Sequence, residues 1–267
     1  MVSSTEEEMK TMIITGGSSG IGKATAEYFA NQGYRVYDLS RHGENHVGIR
    51  HIDCDVTNPV DCTTAIEQVM DEQGVIDVLI SNAGMGISGA VEFTSPKDIR
   101  HIMDVNFFGA VNISQAVLPY MRKERHGRII FVSSLMAIFA IPFQAFYSAS
   151  KFAINGYAMA LKNELRPFDI EVSCMLPGDV KTGFTGAREK NEKGNIAYPA
   201  LEKAVKTMEN DEQNGMDPID IAKKIYHIAE TGMPLAMYTA GWKYHLFLLL
   251  NKLVPQTLAY KIISLMY

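Results

Sequence analysis

Residues 11–22 read TMIITGGSSGIG. Thr11–Thr15 is a short apolar run closed by glycines, which fits a strand buried on both faces. Helical spacing of Ile21, Ala24, Tyr28 and Phe29 follows over 21–31. Glycines between the two admit positive φ and let a ligand approach backbone with no Cβ in the way. The helix behind them aims unpaired N–H groups and partial positive charge at the turn, where a diphosphate is the natural guest. The spacing is Gly-x-x-x-Gly-x-Gly rather than Gly-x-Gly-x-x-Gly. Position at the first strand–helix junction therefore carries the reading. It assigns Gly16, Ser18, Ser19, Gly20, Ile21 and Gly22 to a phosphate-binding loop.

The alternation continues along the chain. Strands are predicted at 35–39, 51–56, 76–81, 128–133, 170–176 and 235–238. Helices are predicted from Asn58-Pro59 to about Gln73, from about Ser95 with a break near Pro119, and over 143–166. This is α/β: a single-domain, doubly wound parallel sheet of about seven strands with helices on both faces. Residues 183–215 are polar, carry Gly183, Gly186, Gly194 and Gly215, and show no strand signal, so they read as a substrate lid. Residues 242–267 are apolar with helical spacing, interrupted at Pro255. They read as a helical extension on the body or a partner subunit, ahead of a membrane-surface or substrate-entry element.

Composition narrows the function. The 267 residues are 47% hydrophobic and 21% charged, as in a globular domain. The net charge of −5 leaves no basic excess for a phosphate backbone, so no nucleic-acid partner is expected. Cys54, Cys62 and Cys174 are odd in number and form no CxxC pair. Neither a disulfide framework nor a metal site is expected, and a reducing cytoplasm fits. The first ten residues are polar and acidic, unlike a signal peptide. No uninterrupted apolar run approaches the roughly 20 residues that span a bilayer.

The second strand ends Tyr37-Asp38-Leu39-Ser40-Arg41. A hydroxyl and a guanidinium at the tip, Ser40 and Arg41, suit a ribose 2′-phosphate. NADP(H) is thus favoured, with NAD(H) as runner-up should Asp38 reach the ribose. Asp55, beside Val56, is placed to accept from an adenine amino group or to cap the next helix. Tyr147-Ser148-Ala149-Ser150-Lys151 sets a phenol and an ammonium one helical turn apart. A nearby ammonium favours phenolate, which suits proton exchange with an alcohol or ketone oxygen. Ser133-Ser134, Asn82-Ala83-Gly84 and Pro177-Gly178 each follow a predicted strand, on the edge where doubly wound folds bind ligands.

With TGGSSGIG at 15–22, NAG at 82–84, Asn106 in VNFFG, Ser134 in VSS, YSASK at 147–151 and PGDVKT at 177–182, the chain resembles the short-chain dehydrogenases/reductases over residues 11–241. The resemblance implies a metal-free oxidoreductase acting on CH–OH donors. Tyr147 would exchange the proton and Ser134 would orient the substrate oxygen. Lys151 would bind the nicotinamide ribose and lower the tyrosine pKa. Asn106 would hold a water leading from that lysine to solvent. Val180 and Thr182 would meet the nicotinamide, and Asn82, Ala83, Gly84, Pro177 and Gly178 would complete the cofactor wall. The stretch from Ile141 to Phe168 and the apolar tail resemble the hydroxysteroid and retinol dehydrogenase branch.

Met85, Met136, Phe139, Ile141, Pro142, Phe143 and Phe184 suggest an apolar, adaptable substrate site, for which Met136, Phe143 and Phe184 are the chosen contacts beside Ser134 and Tyr147. A hydroxysteroid or bile acid is the first expectation. A 3-ketoacyl-thioester or other carbonyl compound is the alternative, with Arg122, Lys123, Arg125, Arg128 and Arg188 as candidates for a basic entrance. A non-enzymatic nucleotide-binding scaffold would not need the Ser134, Tyr147, Lys151 and Asn106 set. Relatives pair through the two long helices, so a homodimer or homotetramer is expected.

Overall fold

A computed structural model describes residues 9–254, 257, 258 and 261. In chain order the strands are β1 (Thr11–Thr15), β2 (Arg35–Ser40), β3 (Ile49–Asp53), β4 (Val78–Ser81), β5 (Ile87–Gly89), β6 (Gly127–Val132), β7 (Ile170–Met175), β8 (Glu189–Asn191) and β9 (Met237–Tyr238). The helices are α1 (Gly20–Asn31), α2 (Pro59–Gln73), α3 (Pro96–Met103), α4 (Gly109–Glu124), α5 (Ala145–Leu165), α6 (Phe184–Ala187), α7 (Ala200–Gln213), α8 (Pro218–Glu230) and α9 (Trp242–Leu253). Seven strands form one parallel sheet in the order β3-β2-β1-β4-β6-β7-β9. The order reverses between β1 and β4, which opens a crevice at their carboxyl ends.

Both faces of the sheet are covered, which is why its strands are continuously apolar. Ile13, Leu79, Ile129 and Phe131 face Ile66, Ile113, Val117, Ile154 and Leu161 of α2, α4 and α5. Met12, Ile14, Ile80 and Ile130 face Phe29 of α1 and Ile221, Ile225 and Ile228 of α8. Asn58 caps α2 through Val60 N, and Ser95 caps α3 through Asp98 N.

The structure departs from the sequence reading in several places. β3 is Ile49–Asp53 rather than 51–56, because its register with β2 pairs Val36 with Ile49 and Ser40 with Asp53. Cys54 to Val56 have already left the sheet, so Asp55 and Val56 stand at the strand end. The long helix after Ser95 is not broken at Pro119, which lies inside α4. Its irregularity is the wider π-turn Asp104–Phe108. α5 starts at Ala145 because Phe143 adopts φ +62, outside helical space. Residues 183–215, which show no strand signal, hold α6, the three-residue β8 and α7, and β8 pairs in parallel with β5. α9 realises the first part of the expected tail. The interruption at Pro255 lies outside the described residues.

Leu79 is fully buried in the central strand β4. Leu79→Ala should destabilise the fold by about 2–5 kcal/mol, read as a lower midpoint in urea unfolding.

Candidate active site

The site is built at the carboxyl ends of the strands. β1 ends in the glycine turn, where Gly16 and Gly20 take φ of +66 and +53. A Cβ on Gly22 would stand 2.0 Å from Gly16 O, so this close approach admits only glycine. Two neighbouring strands grip the turn. Asp38 of β2 accepts from Gly17 N at 2.6 Å. Asn82, after β4, donates to Thr15 O and Gly16 O at 3.0 and 3.1 Å. Thr15 Oγ1 accepts from the N–H groups of Asn82 and Ala83, both at 3.0 Å. Ser19 caps α1 by backbone position only, since its side chain makes no cap hydrogen bond. A capping-competent hydroxyl is thus left free at a helix N-terminus beside a cavity, an arrangement that fits a diphosphate.

The β2 tip divides its polar groups. Asp38 is buried, and its second oxygen accepts from Ser40 Oγ at 2.9 Å and lies 3.2 Å from His51 Nδ1. Arg41 is exposed and lines the cavity. Asp55 accepts from Thr57 N and Oγ1 at 2.9 and 2.8 Å. Burial pushes its carboxyl up, but the Thr57 bonds and the Arg41 and His101 charges outweigh this and hold it below the usual range. The helix cap is Asn58, not Asp55.

Tyr147 and Lys151 project from α5 toward the end of β6. The Lys151 Nζ lies 5.8 Å from the Tyr147 ring centre and donates to Val132 O at 3.0 Å. Burial draws the Lys151 ammonium down to about 8. Burial also pushes the Tyr147 phenol up to about 12, while the Ser134 hydroxyl and the Arg188 charge pull it the other way. Removal from water is the largest influence on this phenol. Ser134 Oγ accepts from Met136 N at 3.1 Å.

Asn106 sits in the π-turn, fully buried behind the cavity wall. Its Oδ1 accepts from Met85 N at 2.8 Å, and its Nδ2 donates to Met85 O and Ser150 Oγ at 3.0 and 2.9 Å. The extra residue of the π-turn turns this carboxamide inward, where it ties the loop after β4 to α5.

These groups surround one cavity of about 1210 Å³, and every residue expected to hold the cofactor lines it. That volume exceeds what a single small ligand needs. Its far wall is apolar, with Met85, Met136, Phe139, Ile141 and Phe184. Phe184 lies 5.9 Å from the Tyr147 ring. Phe143, expected on the cavity, does not line it: its backbone is left-handed, and its ring lies against Tyr198 at 6.1 Å.

The supposed basic entrance is also absent. Arg122, Lys123, Arg125 and Arg128 cluster where α4 ends and β6 begins, at the opposite edge of the sheet. Arg188 is buried and pairs with Glu212, which also accepts from Thr185 Oγ1 at 2.7 Å. Sequence reasoning missed this pair, since nothing in the chain links positions so far apart. α9 walls the cavity, in line with the substrate-entry alternative for the tail. Lys243, Tyr244 and Phe247 line the mouth, and Tyr244 Oη donates to Asp179 Oδ2 at 2.7 Å. A Cβ on Gly178 would meet the Tyr244 ring at 2.2 Å, so glycine is what lets α9 seat.

Residues 10–193 match the family model for short chain dehydrogenase. A 3-ketodihydrosphingosine reductase of Bacteroides thetaiotaomicron is 44% identical over 227 residues, 84% of either chain. Retinol dehydrogenase 8 of Bos taurus is 36% identical over 195 residues, covering 66% of this chain and 61% of the other. A short-chain dehydrogenase structure from Streptomyces avermitilis superposes with a TM-score of 0.86 at 27% identity, covering 97% of this chain and 98% of that one.

Lys151 carries a measurable cost. A depression from 10.5 to about 8 corresponds to about 3 kcal/mol. The folded state binds this proton more weakly than the unfolded chain, so the penalty is full below pH 8 and fades as pH rises toward the unfolded value. Lys151→Met should therefore be the more stable protein at neutral pH in urea unfolding, with its advantage shrinking between about pH 8 and 10.5.

Proposed function

The chain belongs to the short-chain dehydrogenase family, and on that premise we propose that it reduces a ketone on a long-chain lipid with NADPH. The observation that carries the substrate class is the apolar wall that continues the cavity beyond Tyr147, from Met136 and Phe184 to Phe247. The 44% likeness to a 3-ketodihydrosphingosine reductase supports an acyclic long-chain ketone. A hydroxysteroid or bile acid, the first expectation from sequence, becomes the second reading; the likeness to retinol dehydrogenase 8 favours it.

Each residue then has a task. The glycine turn and the start of α1, where the Ser19 side chain makes no cap hydrogen bond, hold the cofactor diphosphate. Arg41 pairs with the 2′-phosphate. Asp38 supports that choice, because Gly17, Ser40 and His51 already engage its carboxylate. When bound, the reduced nicotinamide supplies a hydride to the carbonyl carbon. Ser134 holds the carbonyl oxygen, and the protonated Tyr147 donates to it. Lys151, fixed by Val132 O, presents its ammonium to the ribose and beside the phenol. Asn106 positions the loop and α5, and Val180 and Thr182 close over the nicotinamide. Residues 183–215 serve as the substrate lid, with Phe184 as its contact to Tyr147.

The chain assembles as a homodimer or homotetramer through α4 and α5. Phe152 and Met159, each about half exposed and seven residues apart on α5, support this. The three free, buried cysteines support a cytoplasmic setting.

The test is consumption of NADPH with long-chain 3-keto amines, ketosteroids and acetoacetyl thioesters compared. The long-chain ketone should turn over fastest; a protein silent on it and active on steroids would reverse the order of the two readings. Tyr147→Phe should lower kcat by about 10²- to 10⁴-fold with NADPH binding nearly intact. Arg41→Ala should raise KM for NADPH about 10- to 100-fold and leave NADH unaffected. Light scattering at micromolar concentration should report twice or four times the 29.6 kDa chain; a monomer there would sink the assembly.

A further inference from the structure

No step of the reaction uses His51, yet both of its ring nitrogens face carboxylates at the cofactor end of the cavity. β2 and β3 run in parallel, with Asp38 opposite His51 and Ser40 opposite Asp53. Paired residues, and residues two apart, share one face of a sheet. Asp38, Ser40, His51 and Asp53 therefore point the same way. His51 Nδ1 lies 3.2 Å from Asp38 Oδ2, and Nε2 lies 3.0 Å from Asp53 Oδ1. The His51 side chain is only 10% exposed. The loop after β2 covers it. Asn45 Oδ1 accepts from His51 N at 2.8 Å, and a Cβ on Gly43 would stand 2.5 Å from His51 Nδ1. Glycine at 43 is what lets that loop lie on the Asp38–His51 pair.

The pair borders a second cavity of about 690 Å³, lined in part by Gly17, Asp38 and Asp53. Ser18, Arg41 and His42 line this cavity and the large one alike, so the two meet at the tip of β2. A carboxylate at this tip works against a phosphorylated ribose in two ways. With a free lone pair it accepts from a 2′-hydroxyl, and facing a 2′-phosphate it repels like charge. Asp38 is buried, so its oxygens need partners. Oδ1 accepts from Gly17 N at 2.6 Å, and Oδ2 accepts from Ser40 Oγ at 2.9 Å. These bonds leave Oδ2 with acceptor capacity, and His51 is the group that meets it.

We propose that His51 is a positioning residue for cofactor choice. By holding Asp38 Oδ2, it keeps that carboxylate from the ribose 2′-hydroxyl of NAD(H) and leaves the second cavity to the 2′-phosphate of NADP(H), which Arg41 meets. This role rests on the NADPH preference proposed above. It explains how a carboxylate three residues before Arg41 is compatible with that preference. His51 acts through the Asp38 charge, so its effect depends on that charge being present.

Dissociation constants for NADPH and NADH are measured by titration calorimetry, which needs no ketone. Wild type should bind NADPH more tightly. His51→Leu and His51→Phe each remove the ring nitrogens and fill the space. In both, the ratio of NADPH to NADH affinity should fall at least about tenfold, as expected when a charged group loses a hydrogen-bond partner. NADPH should weaken and NADH should tighten. On an Asp38→Asn background, adding His51→Leu should move the ratio by less than about threefold, because the two positions are coupled. A merely structural role would weaken both cofactors alike and leave the ratio in place. Wild type that prefers NADPH, with the ratio unmoved in the His51 variants, would overturn the role of His51 and leave the cofactor reading standing. An equal fall with and without Asp38→Asn would overturn it as well. Wild type that binds NADH more tightly would overturn the cofactor reading and this role together.

Discussion

The glycine turn is held in place by its neighbours on both sides. Asp38 takes the Gly17 N–H from the β2 side, and Asn82 takes the Thr15 and Gly16 carbonyls from the β4 side. These bonds satisfy the backbone of the turn where it faces protein. What remains unsatisfied is the start of α1, aimed at the cavity. An anion site is made here by distributing partners, so that the groups left over all point one way. Because β1 lies at the reversal of strand order, the same bonds hold the crevice open.

Burial then sets the chemistry. Lys151 is held by one carbonyl in an apolar wall, and its proton is loosened; Tyr147 is removed from water, and its proton is tightened. The two groups are driven toward neutrality together. The π-turn at Asn106 belongs to the same economy of space, since it spends one extra residue to bring a carboxamide inside.

Much of this was legible in the sequence because it is local. β1 has the predicted limits, α2 begins at the predicted Asn58 cap, and the Tyr147–Lys151 spacing gives its geometry at once. What was not legible depends on distant partners. The end of β3 is decided by its register with β2. Phe143 was expected at the cavity, but one left-handed residue re-aimed it. Arg188 looked like a surface charge until α7 brought Glu212 against it. Residues 183–215 gave no strand signal because β8 is only three residues long, Glu189–Asn191, and mostly charged. Tyr244 carried no signal that it would sit on Gly178.

That last placement has a consequence beyond packing. Tyr244 Oη accepts from Asp179 N at 2.9 Å and donates to the Asp179 side chain, so α9 is fastened to the loop that carries Val180 and Thr182. Loop order and helix seating are then one equilibrium. Whatever orders the loop seats the helix, and whatever loosens the helix weakens binding at the loop by the same factor, because linkage is reciprocal. α9 is in this sense a thermodynamic sensor of cavity occupancy, wired to Asp179 through the Tyr244 phenol and the Lys243 ammonium, 3.5 Å from the Asp179 side chain.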